Sequence, residues 1–350
     1  MSVRRAVLLG ALTLPAAIFA CGPDPFPIEH LGPVGAPSGT FRAPAVPPRK
    51  VEPPAPRAGL DTPCGAPSPF SVVAPASSAF GGLATAKGKV VLSVGGHGYT
   101  FAASSTDGCL GAALAGPYQE GLGAIAFDGA TVWAATSSGV LALSPAGAVL
   151  ASCATTAQAL ASDPSTGTAY AIDGGGVRGL SIVNGLCSVT TYTIAQKDAA
   201  PARAIAASSA SPGTFWLVSS EAGKPLTAAR YSAPPEAPGE TKPLTARTLT
   251  GSLAGVCDVA AIAELAGRLL VVDPACGRVW SFPIATVDPQ SAMPVDPFDA
   301  APPRSASLTA GLQPVAIAPS PLSANAALVA ERAAIDASSS VVQLSHLLLP

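Results

Sequence analysis

From about residue 80 the chain repeats itself. A start of the form small residue, aliphatic residue, alanine recurs six times, each followed by an apolar, strand-like run: LATAKGKVVLSV from 83, AIAFDGATVWAAT from 124, ALASDPSTGTAYAID from 159, AIAASSASPGTFWLVS from 204, AAIAELAGRLLVVD from 260 and AIAPSPLSANAALVA from 316. The starts lie about 35 to 56 residues apart, enough for a small sheet and its loops. Self-similarity at that period marks stacked structural units. Each copy reads strand, turn, strand, turn, strand, with a weaker fourth strand after it. The second strands (VVLSV, VWAAT, AYAID, FWLVS, LLVVD, AALVA) are apolar nearly throughout, as strands buried on both faces are. Gly, Ser, Asp and Pro turns separate the runs, and almost no stretch holds a helical period for three turns. A lone sheet of this kind leaves both faces wet. Setting the copies in a ring buries the faces against their neighbours. The expected fold is all-β, a six-bladed β-propeller over residues 67–350, with seven blades as the alternative.

The junctions echo one another as well: TLTGSLAGVCDVAAIA and SLTAGLQPVAIAP match in order. One copy, VAAIAELAGRLLVVDPACGRVWSF, resembles the NHL type of propeller repeat, with its Pro-x-Gly-Ile-Ala-Val start, Gly-Asn turn, Tyr-Val-Ala-Asp strand and Arg-Ile strand. Asp273, Arg278 and Trp280 stand at the Asp, Arg and closing-aromatic positions of that pattern. The Gly-Asn turn is absent throughout, so the resemblance is to the broader NHL-like or quinoprotein-like group. It implies a ring of four-stranded blades.

The last copy runs into Pro350 without a fourth strand, while SPFSVVAP, residues 68–75, is a strand without a blade. Supplying that strand to the last blade would close the ring and cover an open edge. The same register brings Cys257, just before a first strand, to the face that carries Cys276, in the second-to-third turn of that blade. These two are positioned to bond, with a gain of about 3 kcal/mol for so short a loop. Cys64, Cys109, Cys153 and Cys187 fall in or beside outer strands, and their pairing stays open.

Before the repeats lie two segments of different character. MSVRR followed by AVLLGALTLPAAIFA is a basic start and a short apolar stretch ending on a small residue, the form of a secretory signal over residues 1–20. Ile18-Phe19-Ala20-Cys21 resembles the bacterial lipobox, which implies cleavage before Cys21 and lipid attachment to it; Phe19 departs from the usual small residue. Spending Cys21 on lipid leaves six of the seven cysteines, an even set suited to disulfides in an oxidising compartment. Residues 21–66 are rich in proline (GPVGAPSGTFRAPAVPPRKVEPPAPRAG). Proline lacks a backbone donor and has a fixed φ, so the segment reads as a disordered, extended tether with a reach on the order of 100 Å. Gly22 after the cysteine lacks the aspartate associated with retention in the inner membrane of some bacteria, which points to the outer membrane.

Charged residues make up only 11% of the chain and the net charge is −2, so the basic footprint of a nucleic-acid binder is missing. A G-x-S-x-G elbow, H-E-x-x-H and an EF-hand loop are absent. Three histidines, His30, His97 and His346, leave little for a metal centre or a triad, and no C-x-x-C or Cys/His zinc spacing occurs. Six-bladed calcium lactonases, which resemble such a fold, use Glu, Asn and Asp around the axis; here Asn184 and Asn325 are the only asparagines. No cofactor or metal is expected. The scarce charges do gather: His97, Asp173 with Arg178, Glu221 with Lys224, Asp273 with Arg278, and Glu331 with Arg332 all fall at or near second-to-third strand turns. A closed ring would set them on one face, as a binding surface or as ordinary solvated turns.

The expectation is a lipid-anchored, extracytoplasmic propeller acting as a binding or assembly module of the cell envelope, with an envelope protein or polysaccharide as partner. The alternatives are a propeller enzyme of lactonase, lyase or quinoprotein-like type, and a purely structural or adhesion protein. The residues offer more to a binder than to an enzyme.

Overall fold

The computed structural model describes residues 60–63, 71–72, 80–103, 110–174, 176–194, 201–221, 224–233, 239–244, 246–284, 304–307, 312–334 and 340–349. Among the described residues every regular element is a strand, and the strands form six sheets. Blade 1 is Phe80–Ala86, Lys89–Val94, His97–Ala103 and Leu110–Tyr118. Blade 2 is Ile125–Phe127, Val132–Thr136, Gly139–Leu143 and Val149–Cys153. Blade 3 is Ala159–Ser162, Ala169–Asp173, Gly176–Val183 and Leu186–Thr193. Blade 4 is Ala202–Ala207, Thr214–Ser219, Thr227–Ser232 and Ala246–Ser252. Blade 5 is Ala261–Leu265, Arg268–Asp273, Arg278–Pro283 and Arg304–Ser307. Blade 6 opens with Gln313–Pro319, Ala326–Ala334 and Ser340–Leu348. Within each blade, successive strands pair antiparallel, in chain order from the inner strand outward.

The six-blade count therefore stands, and seven is excluded. The recurring small–aliphatic–alanine start has a packing reason. Six apolar clusters fill the six gaps between neighbouring blades, and the same positions meet in each. Between blades 4 and 5, Ile262 of the later blade packs against Ala204 and Ala206 of the earlier one. Between blades 5 and 6, Ile317 meets Ala263. Leu160 meets Ala126, Ile205 meets Ala161 and Ile125 meets Ala84 in the same way. A large side chain reaches back across each gap and small ones receive it, so every first strand must carry both. Leu83 of blade 1 meets Ala316 and Ala318 of blade 6, which joins the end of the ring to its beginning. The second strands are buried almost completely, as their unbroken apolar runs require.

Blade 6 is completed from the N-terminal side, though not as the sequence suggested. Leu60–Pro63 pairs antiparallel with Ser340–Leu348, Leu60 opposite Leu347, and Ser71–Val72 pairs further along the same strand, Ser71 opposite Val341. Ser71 and Val72 are the described residues of the expected 68–75 strand, and most of the described pairing comes from a segment read as tether. An outermost strand needs donors on one side alone, so Leu60, Asp61 and Thr62 suffice, with Pro63 at the strand end. A second departure lies in blade 3. Thr241–Pro243, from the connection between the third and fourth strands of blade 4, runs parallel to Leu186–Thr193 and covers its edge. The leader (residues 1–20), Cys21, His30, Cys64 and Cys109 lie outside the described residues, as does the tether before Leu60.

Candidate functional site

The second-to-third turns share a face with the links that lead into each blade, as the register required. Three acids stand at one repeat position, the residue after the partner of the first small residue: Ile172 pairs with Ala159 and precedes Asp173, Val272 pairs with Ala261 and precedes Asp273, Ala330 pairs with Ala316 and precedes Glu331. Each turns inward. Asp173 accepts from Thr156 Oγ1 at 2.7 Å and Thr155 Oγ1 at 3.2 Å, both on the link from blade 2, and from Arg178 Nε at 3.3 Å. The Thr156 hydrogen bond, with those of Thr155 and Arg178, holds its carboxyl below the ordinary aspartate value against the opposing effect of partial burial.

Asp273 is fully buried and accepts four N–H bonds: Cys257 N (2.8 Å) and Trp280 Nε1 (3.1 Å) on Oδ2, Asp258 N (3.2 Å) and Cys276 N (3.1 Å) on Oδ1. A carboxylate offers about four lone-pair positions, so this one is saturated. Glu331, also fully buried, accepts from Ser345 Oγ on the adjacent strand. Asp173 and Asp273 thus latch links to turns, while Glu331 joins two strands of its own blade.

The predicted bond between Cys257 and Cys276 forms, with Cα atoms 6.1 Å apart, and fastens the link into blade 5 to the turn that Asp273 also holds. The sulfurs and the Asp273 carboxylate lie within 4.8 Å of one another. With both sulfurs committed to the bridge, no thiolate is left there for a metal. A second disulfide, Cys153–Cys187, joins the outer strands of blades 2 and 3. Such bridges belong to an oxidising, extracytoplasmic compartment. No described helix is long and apolar enough to cross a membrane.

The other predicted face residues divide. Arg178 is engaged with Asp173 and with Thr191 Oγ1. His97 Nδ1 lies 2.9 Å from the Gln119 carbonyl oxygen on the link into blade 2. Glu221 and Lys224 form a 2.8 Å ion pair with both side chains more than half exposed. Arg332 donates to Gln313 Oε1 at 3.2 Å and lines the channel mouth on this face. Arg278 begins the third strand of blade 5.

Along the axis, Leu83, Ile125, Leu160, Ile205, Ile262 and Ile317 form an aliphatic waist that borders two cavities. The one toward the links is about 210 Å³. The other, at the first-to-second turn side, is about 330 Å³ and is lined by Ser162, Asp163, Ser208, Ser209 and Glu264 above that waist. Burial would raise the Asp163 carboxyl; hydrogen bonds from Ser165, Gly213 and Thr166 outweigh it and hold the group low. Glu264 accepts from Trp216 Nε1 at 2.5 Å on Oε2, while Oε1 has Ser209 Oγ at 3.4 Å. With Trp133 Nε1 on Asp128 Oδ2 at 3.4 Å and Trp280 on Asp273, all three tryptophans donate to a buried acid.

The cup residues were not singled out from sequence. They were legible only as a column: the fourth and fifth places of each repeat start read Phe-Asp, Ser-Asp, Ala-Ser, Glu-Leu and Pro-Ser in blades 2 to 6. Polar residues recur there at or just past the ends of otherwise apolar strands.

No protein-family model matches the chain, and no curated protein matches it. Among solved structures, the chain is similar to a putative oxidoreductase (glucose dehydrogenase) from Thermus thermophilus at 13% identity, covering 82% of this chain and 100% of that one with a TM-score of 0.47. It is similar to the PQQ-bound aldose sugar dehydrogenase of Streptomyces coelicolor at 13% identity, 80% and 97% coverage and a TM-score of 0.46. A chain of a nidogen/laminin complex is similar at 14% identity, 61% and 77% coverage and a TM-score of 0.43. All three likenesses are of fold.

Proposed function

We propose that this protein is an extracytoplasmic binding or assembly module of the cell envelope. Cys21 carries the lipid, the proline-rich segment before Leu60 holds the ring away from the outer membrane, and the link-side face meets an envelope protein or polysaccharide. The observation that carries this reading is the bracing of that face. Asp173 and Asp273 tie the links to the turns, and the Cys257–Cys276 bridge fastens one of them. Glu221, Lys224 and Arg278 stand at the turns of a platform held rigid beneath them, which lowers the ordering cost of binding.

Crosslinking in intact cells tests the reading, comparing the native protein with a Glu221→Gln, Lys224→Gln, Arg278→Gln variant and with one whose tether is shortened. The proposal expects crosslinked partners to be lost in the turn variant. Loss on shortening the tether alone would favour a structural or adhesion role. Intact-mass measurement of protein from its native membrane tests the anchor: a chain starting at Cys21 with acyl groups is expected, and any other start contradicts it.

A further inference from the structure

The cup at the first-to-second turn side plays no part in the reading above. It is a cavity of about 330 Å³, at the small end of the range for small-molecule sites. Its floor is the aliphatic waist and its wall carries two carboxylates, Asp163 just past the inner strand of blade 3 and Glu264 on the inner strand of blade 5. No lysine, arginine or histidine is among its lining residues.

Its acids differ in how far they are used. Asp163 is taken by Ser165 N and Oγ, by Gly213 N at 2.7 Å and by Thr166. Glu264, only 3% exposed, has one short bond and one long one among the described residues, leaving lone pairs on Oε1. Beside it, Ser208 is 6% exposed, lines the cup, and its hydroxyl meets no donor or acceptor among the described residues. A buried hydroxyl without a partner is costly and uncommon in a folded chain. An incompletely used carboxylate, a buried unpartnered hydroxyl and an apolar floor thus belong to residues that line one cavity.

We propose that this cup binds a small organic cation, an ammonium group on a short apolar body, with the ammonium donating to Glu264 Oε1 and Ser208 Oγ and the carbon body on the Leu83, Ile125, Leu160, Ile205, Ile262 and Ile317 floor. A bare divalent ion fits poorly, since such ions need six or more oxygen ligands and half of this space is hydrocarbon. An anion would meet two carboxylates with no base to offset them.

Calorimetric titration of the oxidised full chain with n-butylammonium and benzylammonium, against the isosteric n-butanol and benzyl alcohol, tests the site. The amines are expected to bind at least about tenfold more tightly than the alcohols. Glu264→Gln should erase that preference, its amide carbonyl still accepting from Trp216 Nε1. Ser208→Ala, a mild change that spares the fold, should weaken amine binding about threefold or more. Lys224→Gln, at the opposite mouth, should leave it unchanged, which separates this site from the link-side face. Amines undetected at about 10 mM, amines and alcohols bound equally, or binding unmoved by both cup variants would overturn the proposal.

Discussion

The two mouths of the channel carry similar chemistry put to different use. At the link side, Asp273 spends both oxygens on four N–H donors, and a disulfide lies against it. At the cup side, Glu264 spends one oxygen on Trp216 and holds the other by a single long bond from Ser209, at the cavity that Ser208 also lines. A buried carboxylate in a propeller is thus read by its unused lone pairs rather than by its presence. In this chain Asp173 and Asp273 of the predicted charged face belong to the frame, and Glu264, an acid with fewer donors than Asp273, lies on the other side of an aliphatic waist.

The largest effect that sharpens this contrast comes from the link-side bridge. Replacing Cys257 and Cys276 together by serine should cost about 3 kcal/mol in denaturant unfolding, with cup binding unchanged. A loss that also removed amine binding would show the two mouths to be one unit.

Asp173→Asn comes next. Its carbonyl can keep Thr156 and its amide can donate to Thr155, but Arg178 Nε then faces an N–H group, for a cost of about 1 to 2 kcal/mol. The same variant has a pH signature. A depressed folded-state pKa makes the stabilisation full above the unfolded value and lost as pH falls through the folded one. The native protein should therefore lose this share of stability below about pH 4, and Asp173→Asn should flatten that acid limb. An unchanged limb would mean that the latch to the blade 2 link carries no weight.

The smallest effect is at the exposed ion pair. Lys224→Gln should change stability by under about 0.5 kcal/mol, since both partners are solvated. A larger cost would place it in the frame with Asp173 and Asp273.

Much of the ring was legible. The small–aliphatic–alanine start marks every inner strand because each blade gap needs one large side chain and its receivers, and the register this implied led directly to Cys257–Cys276. Outer strands were harder. They face a neighbour on one side only, so short unpatterned segments such as Leu60–Pro63 and Thr241–Pro243 can serve, and the sequence does not say which sheet they join. The inward-turned acids were hard to read for a related reason. Asp273 ends its strand at a hairpin turn, where a charge looks solvated, and Glu331, expected near such a turn, lies inside the strand Ala326–Ala334; tertiary contact turns them inward onto the Cys257 and Asp258 N–H groups and Ser345. Glu264 lies mid-strand beside Ile262, and nothing in its own blade shows the partner, since Trp216 belongs to the blade before.

The most direct test sets Asp273→Asn beside Glu264→Gln in one denaturation experiment on the oxidised protein. Whichever way the Asp273→Asn amide is turned, two of the four N–H donors face an NH₂ group, so the loss should be about 3 kcal/mol. In Glu264→Gln the carbonyl meets Trp216 and the NH₂ can donate to Ser209, so the loss should stay under about 1 kcal/mol. That split is what latch at one mouth and open acceptor at the other predict. Equal losses, or a larger one for Glu264→Gln, would contradict the division.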